Sequence, residues 1–321
     1  MHDFPIRETQ LTNGPLVVTH AMPESQSVAL GIFINTGSRD ETAAEAGISH
    51  ALEHMLFKGT RHHDVHALSE LLDGLGGNAN AFTARERTCF HIRVLHEDWP
   101  EALALLSEMV LHSTVPEEEW GREKEVIFSE MAMVEDAPDE WVMDEHIRAL
   151  YPGQSLGVPT IGTRDVLEAM GRGDLMEYHR RHYHASRLIV AAAGRIEHDA
   201  LLEALSAIDW PQTGEAVARP AAEMTGGIQM LPRAGEQAHL VMSYPGMAAA
   251  SADRPVAWLA NQMLGGGMSS RLFREVREKL GLAYSVASCL SSVSDTGTWT
   301  IGCSTDPARL VECAKVVRRT L

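Results

Sequence analysis

Gly47-Ile48-Ser49-His50-Ala51-Leu52-Glu53-His54-Met55-Leu56-Phe57-Lys58-Gly59-Thr60 is the stretch on which the reading of this chain turns. Its pattern predicts a helix over about 46–57. His50 and His54 stand four apart, so on a helix they lie on one face, one turn from each other. Two imidazoles at that spacing can share one zinc ion at Zn–N distances of about 2.0–2.1 Å. Glu53 lies close to the same face. Between adjacent side chains it is poorly placed as a third ligand, but well placed to take a proton from a water at the metal. The chain has 16 histidines, and i,i+4 pairs also occur on ordinary helix surfaces. The flanks, Gly47-Ile48-Ser49 and Met55-Leu56-Phe57, are small or apolar and suit a semi-buried helix. Three ionisable groups on such a helix need a reason to be there.

A catalytic zinc keeps three protein ligands and one open position, so the third ligand should come from another element. The helix expected over 116–134, opened by Pro116 and the acidic run Glu117-Glu118-Glu119, offers Glu123 and Glu130 on one face, two turns apart. It also carries Glu125. Spacing alone does not choose among these carboxylates, and most of them suit a solvated helix face.

Outward from this stretch the chain reads as a repeated order. Strands are expected at 16–19 and 28–35, helices at 46–57 and 65–75, and a strand pair at 79–83 and 88–95 around Ala84-Arg85-Glu86-Arg87. Helices follow at 99–112, 116–134, 140–150 and 164–179, then a strand at 187–193 and a helix at 199–208. After a loose stretch beginning at Trp210-Pro211, strands at 227–231 and 239–244 precede helices at 255–264 and 270–280. A strand pair at 284–293 and 298–303 and a helix at 308–319 close the sequence. The fold class is therefore α+β: two homologous units in tandem, each a mainly antiparallel sheet covered by helices. The boundaries expected are 1–212 for the first domain, 213–224 for a linker and 225–321 for the second. The second unit ends one helix after its strand pair, which makes it look truncated beside the first.

Composition bounds the rest. With 321 residues, 45% hydrophobic and 22% charged, the chain is an ordinary globular protein of two-domain size. Its 27 Lys and Arg against 44 Asp and Glu give −17, which argues against nucleic acid and anionic membrane as partners. No apolar run approaches the roughly 18 residues of a membrane span. Met1-His2-Asp3-Phe4-Pro5 shows no leader, so a cytoplasmic location is expected, although an already processed periplasmic form would look the same. Cys89, Cys289, Cys303 and Cys313 form no CxxC pair and read as reduced, partly buried thiols.

The stretch Gly47 to Thr60 resembles the active-site helix of the pitrilysin family of zinc peptidases, the inverzincins, whose H-x-x-E-H is the HExxH motif reversed. The closest branch is that of the mitochondrial and bacterial processing peptidases, and the resemblance covers essentially the whole chain. Glu123-Lys124-Glu125-Val126-Ile127-Phe128-Ser129-Glu130 matches the family's downstream glutamate pair. The resemblance implies one Zn2+ per chain held by His50, His54 and Glu130, with Glu123 supporting a ligand histidine and Glu53 as general base. Gly76-Gly77-Asn78-Ala79-Asn80-Ala81-Phe82-Thr83 resembles the family's edge strand, where substrate adds as an extra strand beside Asn80 and Ala81. In the second unit, 269–285 resembles the Arg/Tyr segment, which implies that Arg277 and Tyr284 contact the substrate main chain near the scissile carbonyl.

The activity so implied is endopeptidase cleavage of extended peptides or leader segments inside a clamshell chamber. The partners implied are a peptide, basic if the acidity lines the chamber, and a second chain: a homodimer, or a heterodimer with a related subunit. Two rival readings are a non-catalytic partner or scaffold subunit and a zinc-stabilised peptide-binding protein. Gly265-Gly266-Gly267 lacks the Lys-Ser/Thr of a phosphate loop and reads as a turn. His179, His182 and His184 read as a polar helix end, and His62, His63 and His66 as a solvated loop.

Overall fold

Val28, Leu30, Ile32 and Ile34 build the first unit from its middle. In the computed structural model, which describes residues 6–212 and 218–321, each of the four is at most 2% exposed. Alternation along a strand sends them to one face, and each such burial contributes roughly 1.5–3 kcal/mol. Their strand, β3 (Ser27–Ile34), follows β1 (Ile6–Gln10) and β2 (Leu16–Ala21). With β4 (Asn78–Thr83), β5 (Thr88–Leu95) and β6 (Leu188–Gly194) they form a six-stranded sheet in the order β1-β2-β6-β3-β5-β4. Only β2 and β6 run parallel; every other pairing is antiparallel.

The helices of this stretch are α1 (Ile48–Met55), α2 (Val65–Gly74), α3 (Trp99–His112), α4 (Glu117–Asp136), α5 (Pro138–Leu150), α6 (Arg164–Ala169), α7 (Arg172–His182) and α8 (His198–Ser206). α3 lies against β3 and β5, burying Leu103, Leu106 and Val110. α1 lies against β4 and α7. That contact holds the quoted stretch beside the edge of the sheet.

Packing divides the chain into two units: the described residues up to Glu130 with Val158–Arg219, and Met131–Gly157 with Pro220–Leu321. The segment Met131–Gly157, which chain order keeps in the first domain, thus packs with the second unit. In it Leu150, Tyr151 and Leu156 form a small core with Met224 and Val293.

The second sheet has β7 (Ala238–Pro245), β8 (Ala283–Ser292) and β9 (Gly297–Thr305) in the order β7-β9-β8. This is the arrangement of β3-β5-β4, with α9 (Arg254–Gly265) and a π-helix (Phe273–Lys279) in the place of α1 and α2. α10 (Leu310–Thr320) then follows β9 as α3 follows β5. From β7 onward the repeated order is therefore present in three dimensions.

Some local expectations give way. The stretch 164–179 is two helices, interrupted at Gly171, whose N–H is held by Asp174 Oδ2 at 2.8 Å. The polar β1 was not expected as a strand. It lies at the sheet edge with four of its five residues exposed, so no alternation marks it. Residues 227–231 are not a strand: Ile228 is 97% and Met230 79% exposed. An apolar run makes a strand only beside a partner, and among the described residues β7 pairs with β9 alone.

His182 and His184 are not a polar helix end but buried. His182 Nδ1 accepts from Arg187 at 2.6 Å, and burial, reinforced by Arg187 and Arg181, lowers its imidazole to about 4. Residues 1–5, which carry the expectation of no leader, lie outside the described residues, as do 213–217 of the expected linker. Just after them, Arg219 donates to both carboxylate oxygens of Asp40 at 2.8 Å, so that part of the linker is anchored rather than loose. Among the described residues no helix is long and apolar enough to cross a membrane.

Candidate metal centre

α1 starts where it does because the backbone there is forced and capped. Gly47 has φ 95°, and a Cβ on it would stand 2.6 Å from the Ile161 carbonyl oxygen, so only glycine fits. The orphan N–H groups of Gly47 and Ser49 donate to the carboxylate of Glu41 at 2.8 and 2.9 Å. Burial pushes the Glu41 carboxyl up to about 7 despite these bonds. The helix buries Ile48, Ser49, Ala51, Leu52 and Met55. His50, Glu53 and His54 are left half-buried on the other face.

On that face the structure brings His50, His54 and Glu130 together, with one ligand atom from each all within 4.8 Å of one another. His50 Nε2 and His54 Nε2 lie 3.8 and 3.7 Å from Glu130 Oε2. A tetrahedral zinc with ligands at about 2.0–2.1 Å separates its donor atoms by roughly 3.3 Å, so the two histidine–glutamate separations exceed that by only a few tenths of an ångström. The donor set, two imidazoles and a carboxylate, is one that zinc accepts with a position left open.

The protonation states agree with the fit. Burial, with a smaller contribution from His54, lowers the His50 imidazole to about 4, so it is neutral and keeps a lone pair for a metal. Its Nδ1 is buried and meets no partner among the described residues.

The two glutamates of α4 take different positions. Glu123 is buried; His54 Nδ1 donates to its Oε2 at 3.0 Å, and Lys58 Nζ to its Oε1 at 2.6 Å. Burial works to raise the Glu123 carboxyl, but these two partners outweigh it and hold the group below the usual range. For His54, burial works downward, and the bond to Glu123 with the charges of Glu130, Glu123 and Glu53 raises the imidazole. A proton fixed on Nδ1 turns Nε2, as a bare lone pair, towards Glu130.

Glu53 points elsewhere: its Oε2 accepts from the Thr83 hydroxyl at 2.5 Å, at the end of the edge strand β4. Burial raises its carboxyl, with the Thr83 bond opposing. On the same strand Asn80 is exposed, and its Oδ1 accepts from its own neighbour, the Ala81 N–H, at 2.8 Å. In the second unit the π-helix places the Arg277 guanidinium 4.5 Å from the ring centroid of Tyr284 and 4.8 Å from that of Phe273. Tyr284 itself is 77% exposed. Both sets of residues singled out in the sequence are thus clustered, each within its own unit.

Residues 16–164 match the profile of the insulinase family, peptidase family M16, and 169–321 that of the peptidase M16 inactive domain. An uncharacterized zinc protease of Streptomyces coelicolor is 38% identical over 328 residues, covering 98% of this chain and 71% of the relative. The chain belongs to peptidase family M16. An uncharacterized zinc protease of Bacillus subtilis is 37% identical over 98% of this M16 chain and 78% of its own length. Among solved structures, the peptidase M16 inactive domain from Pseudomonas fluorescens superposes with a TM-score of 0.91 at 22% identity, covering 98% of this chain and 78% of that one. A protease from Helicobacter pylori gives 0.89 at 20%, covering 98% and 79%. The family to which the sequence resemblance points and the tandem α+β fold are therefore established, and zinc is the metal the family implies.

Three contributors escape the sequence reading. Lys58 stands in the quoted stretch four residues after His54, a spacing that could have suggested a shared partner. Thr83 closes the edge-strand segment. Glu41, six residues before Gly47, follows no spacing rule, because a short 3-10 turn (Ala43–Glu45) rather than a continuous helix or strand separates them.

Proposed function

We propose that this chain is a zinc-dependent endopeptidase acting on extended peptides. The observation that carries the reading is the grouping of His50, His54 and Glu130 donor atoms on one face of α1 beside a Glu53 that does not join them. His50, His54 and Glu130 would hold the metal. A zinc ion there supplies Lewis-acid chemistry, polarising the scissile carbonyl and bringing the pKa of a water from about 15.7 towards about 7. Glu53 takes the proton of the attacking water and delivers it to the leaving amine. Burial has already raised this carboxyl, which suits it to both halves of the transfer, and the Thr83 hydroxyl fixes its orientation. Glu123 keeps the His54 proton on Nδ1.

The substrate adds as a strand to the free edge of β4, held by main-chain hydrogen bonds. Asn80 Oδ1 caps the Ala81 N–H, so an incoming peptide exchanges that contact for its own carbonyl. Arg277 and Tyr284, stacked as a pair, supply donors to the peptide main chain and the developing oxyanion. Two copies assemble as a homodimer in which each zinc centre uses the other copy's Arg/Tyr pair. The −17 charge favours cationic peptides.

The test is metal analysis together with cleavage of a fluorogenic peptide library by the wild type and Glu53→Gln. The variant is expected to keep zinc and to lose hydrolysis by about 10²–10⁴-fold. A variant cleaving at the wild-type rate would remove Glu53 from the mechanism. Zinc without turnover in the wild type would make the chain a peptide-binding protein, and neither would make it a non-catalytic partner subunit. Mixing Glu53→Gln with Tyr284→Phe should restore part of the activity if sites are shared between copies; a wholly inactive mixture rules that sharing out.

A further inference from the structure

Two of the four cysteines face each other. Cys303 on β9 and Cys313 on α10 have Sγ atoms 3.6 Å apart, and both are buried in the core of the second unit with Leu272, Val276, Leu282 and Val317. Of the other two cysteines, Cys89 is buried in the first unit and Cys289 is exposed on β8. We propose that Cys303 and Cys313 form a dithiol site that a small disulfide, such as oxidised glutathione, converts into an intramolecular disulfide.

Buried thiols are usually inert filling, so the case rests on their contact. A disulfide needs sulfurs at about 2.05 Å, so the pair must close by roughly 1.5 Å, within reach of a side-chain rotation and a small shift of α10. α10 buries Cys313, Val316 and Val317 and leaves most of its other side chains exposed, so a local opening of this helix gives access to Cys313. Their surroundings also differentiate the two thiols. Either sulfur can donate to the other, and the Thr305 hydroxyl and the Arg309 charge favour a thiolate on Cys313, whose thiol is lowered to about 7 while that of Cys303 is raised. Cys313 is then the attacking group and Cys303 the resolving one.

The chemistry balances. The Cys313 thiolate attacks oxidised glutathione, forming a mixed disulfide and releasing one glutathione thiolate. Cys303 gives up its proton and attacks the Cys313 sulfur, releasing the second glutathione. Two protein thiols are oxidised and one glutathione disulfide is reduced.

Closing this bond has a local consequence. Between the two cysteines, the Thr305 hydroxyl donates to the Leu282 carbonyl at 2.6 Å, and Arg309 donates to those of Gly281 and Leu280 at 3.1 and 3.4 Å. These are the contacts that hold the turn leading into Tyr284. The disulfide staples that support.

The experiment uses the full chain with Cys289→Ser, which removes the exposed thiol and leaves three. The folded protein is incubated with oxidised glutathione, quenched with N-ethylmaleimide and mapped by mass spectrometry without reduction. The expected result is loss of two of the three thiols, a Cys303–Cys313 linked peptide, and a rise in melting temperature that dithiothreitol reverses. Full alkylation of both cysteines under conditions that oxidise Cys289 in the wild type overturns the proposal. So does glutathione that stays on Cys313 without linkage to Cys303. The readout is independent of zinc and of peptide cleavage, so its failure leaves the peptidase reading untouched.

Discussion

Replacing Glu123 by Gln should weaken zinc binding although Glu123 touches no metal-directed atom. In the wild type its carboxylate accepts twice, from His54 Nδ1 at 3.0 Å and Lys58 Nζ at 2.6 Å. A glutamine offers one oxygen and one NH2. If the oxygen stays with Lys58, the NH2 faces His54 Nδ1, which must then become the acceptor. The imidazole proton moves to Nε2, the nitrogen turned towards Glu130, and the lone pair meant for the metal is blocked. If the oxygen turns to His54 instead, the Lys58 ammonium loses its partner. An ammonium can only donate whereas the imidazole can switch, so the first outcome prevails, and the lost charge-assisted bond to His54 is worth about 1.5–3 kcal/mol. That corresponds to roughly 10–100-fold in metal affinity, the usual range for groups that orient a ligand histidine. Competition against a fluorescent zinc chelator at neutral pH measures it, with the melting temperature of the metal-free protein as a control for folding. Unchanged zinc affinity in a folded Glu123→Gln protein would refute the tautomer argument.

Three further perturbations test the frame around the site. Gly47→Ala forces a methyl against the Ile161 carbonyl at φ 95° and should cost about 1–3 kcal/mol in urea denaturation; a variant as stable as the wild type would mean the α1 start is not constrained. The Glu41 carboxyl sits at about 7 when folded against an ordinary 4.5. A raised acid favours the protonated folded state. Its contribution is therefore complete below 4.5 and lost as pH climbs through about 7, on the order of 3 kcal/mol at most. Wild-type stability should fall over that window relative to Glu41→Gln, and parallel pH profiles would contradict it. Thr83→Val removes the hydroxyl that opposes the raised Glu53 carboxyl, so the acid limb of kcat/KM should move to higher pH; a limb that stays in place would detach Thr83 from Glu53.

The helical face of His50, Glu53 and His54 was legible because the i,i+4 rule is geometric and holds on any helix. Spacing left Glu123 and Glu130 undecided because both fall on one face of α4. They are distinguished by depth: Glu123 is buried against Nδ1 of His54 while Glu130 meets the Nε2 atoms of both histidines. Depth depends on what packs above the helix, which no local pattern encodes. The repeated order was legible from apolar runs and turns, and it held for β7, β8 and β9. It failed for 227–231, because Ile228 and Met230 have strand composition but, among the described residues, no strand to pair with. β1 failed in the opposite sense, as a polar segment recruited by β2 alone. His182 read as part of a polar helix end because burial of a histidine beside Arg187 depends on a contact between α7 and the segment entering β6.

The outer side of β4, the last strand of the first sheet, bears on how copies of this chain treat one another when crowded. Six residues long, it carries no Asp, Glu, Lys or Arg, and no proline discourages another strand from pairing there. Local deterrents to sticking are thus almost missing from that strand. What keeps molecules apart is the long-range repulsion of a −17 polyanion. That repulsion reaches only about 8 Å at physiological ionic strength and about 3 Å in molar salt. Repulsion between copies is thus what shields that edge, and the shield thins as salt is added.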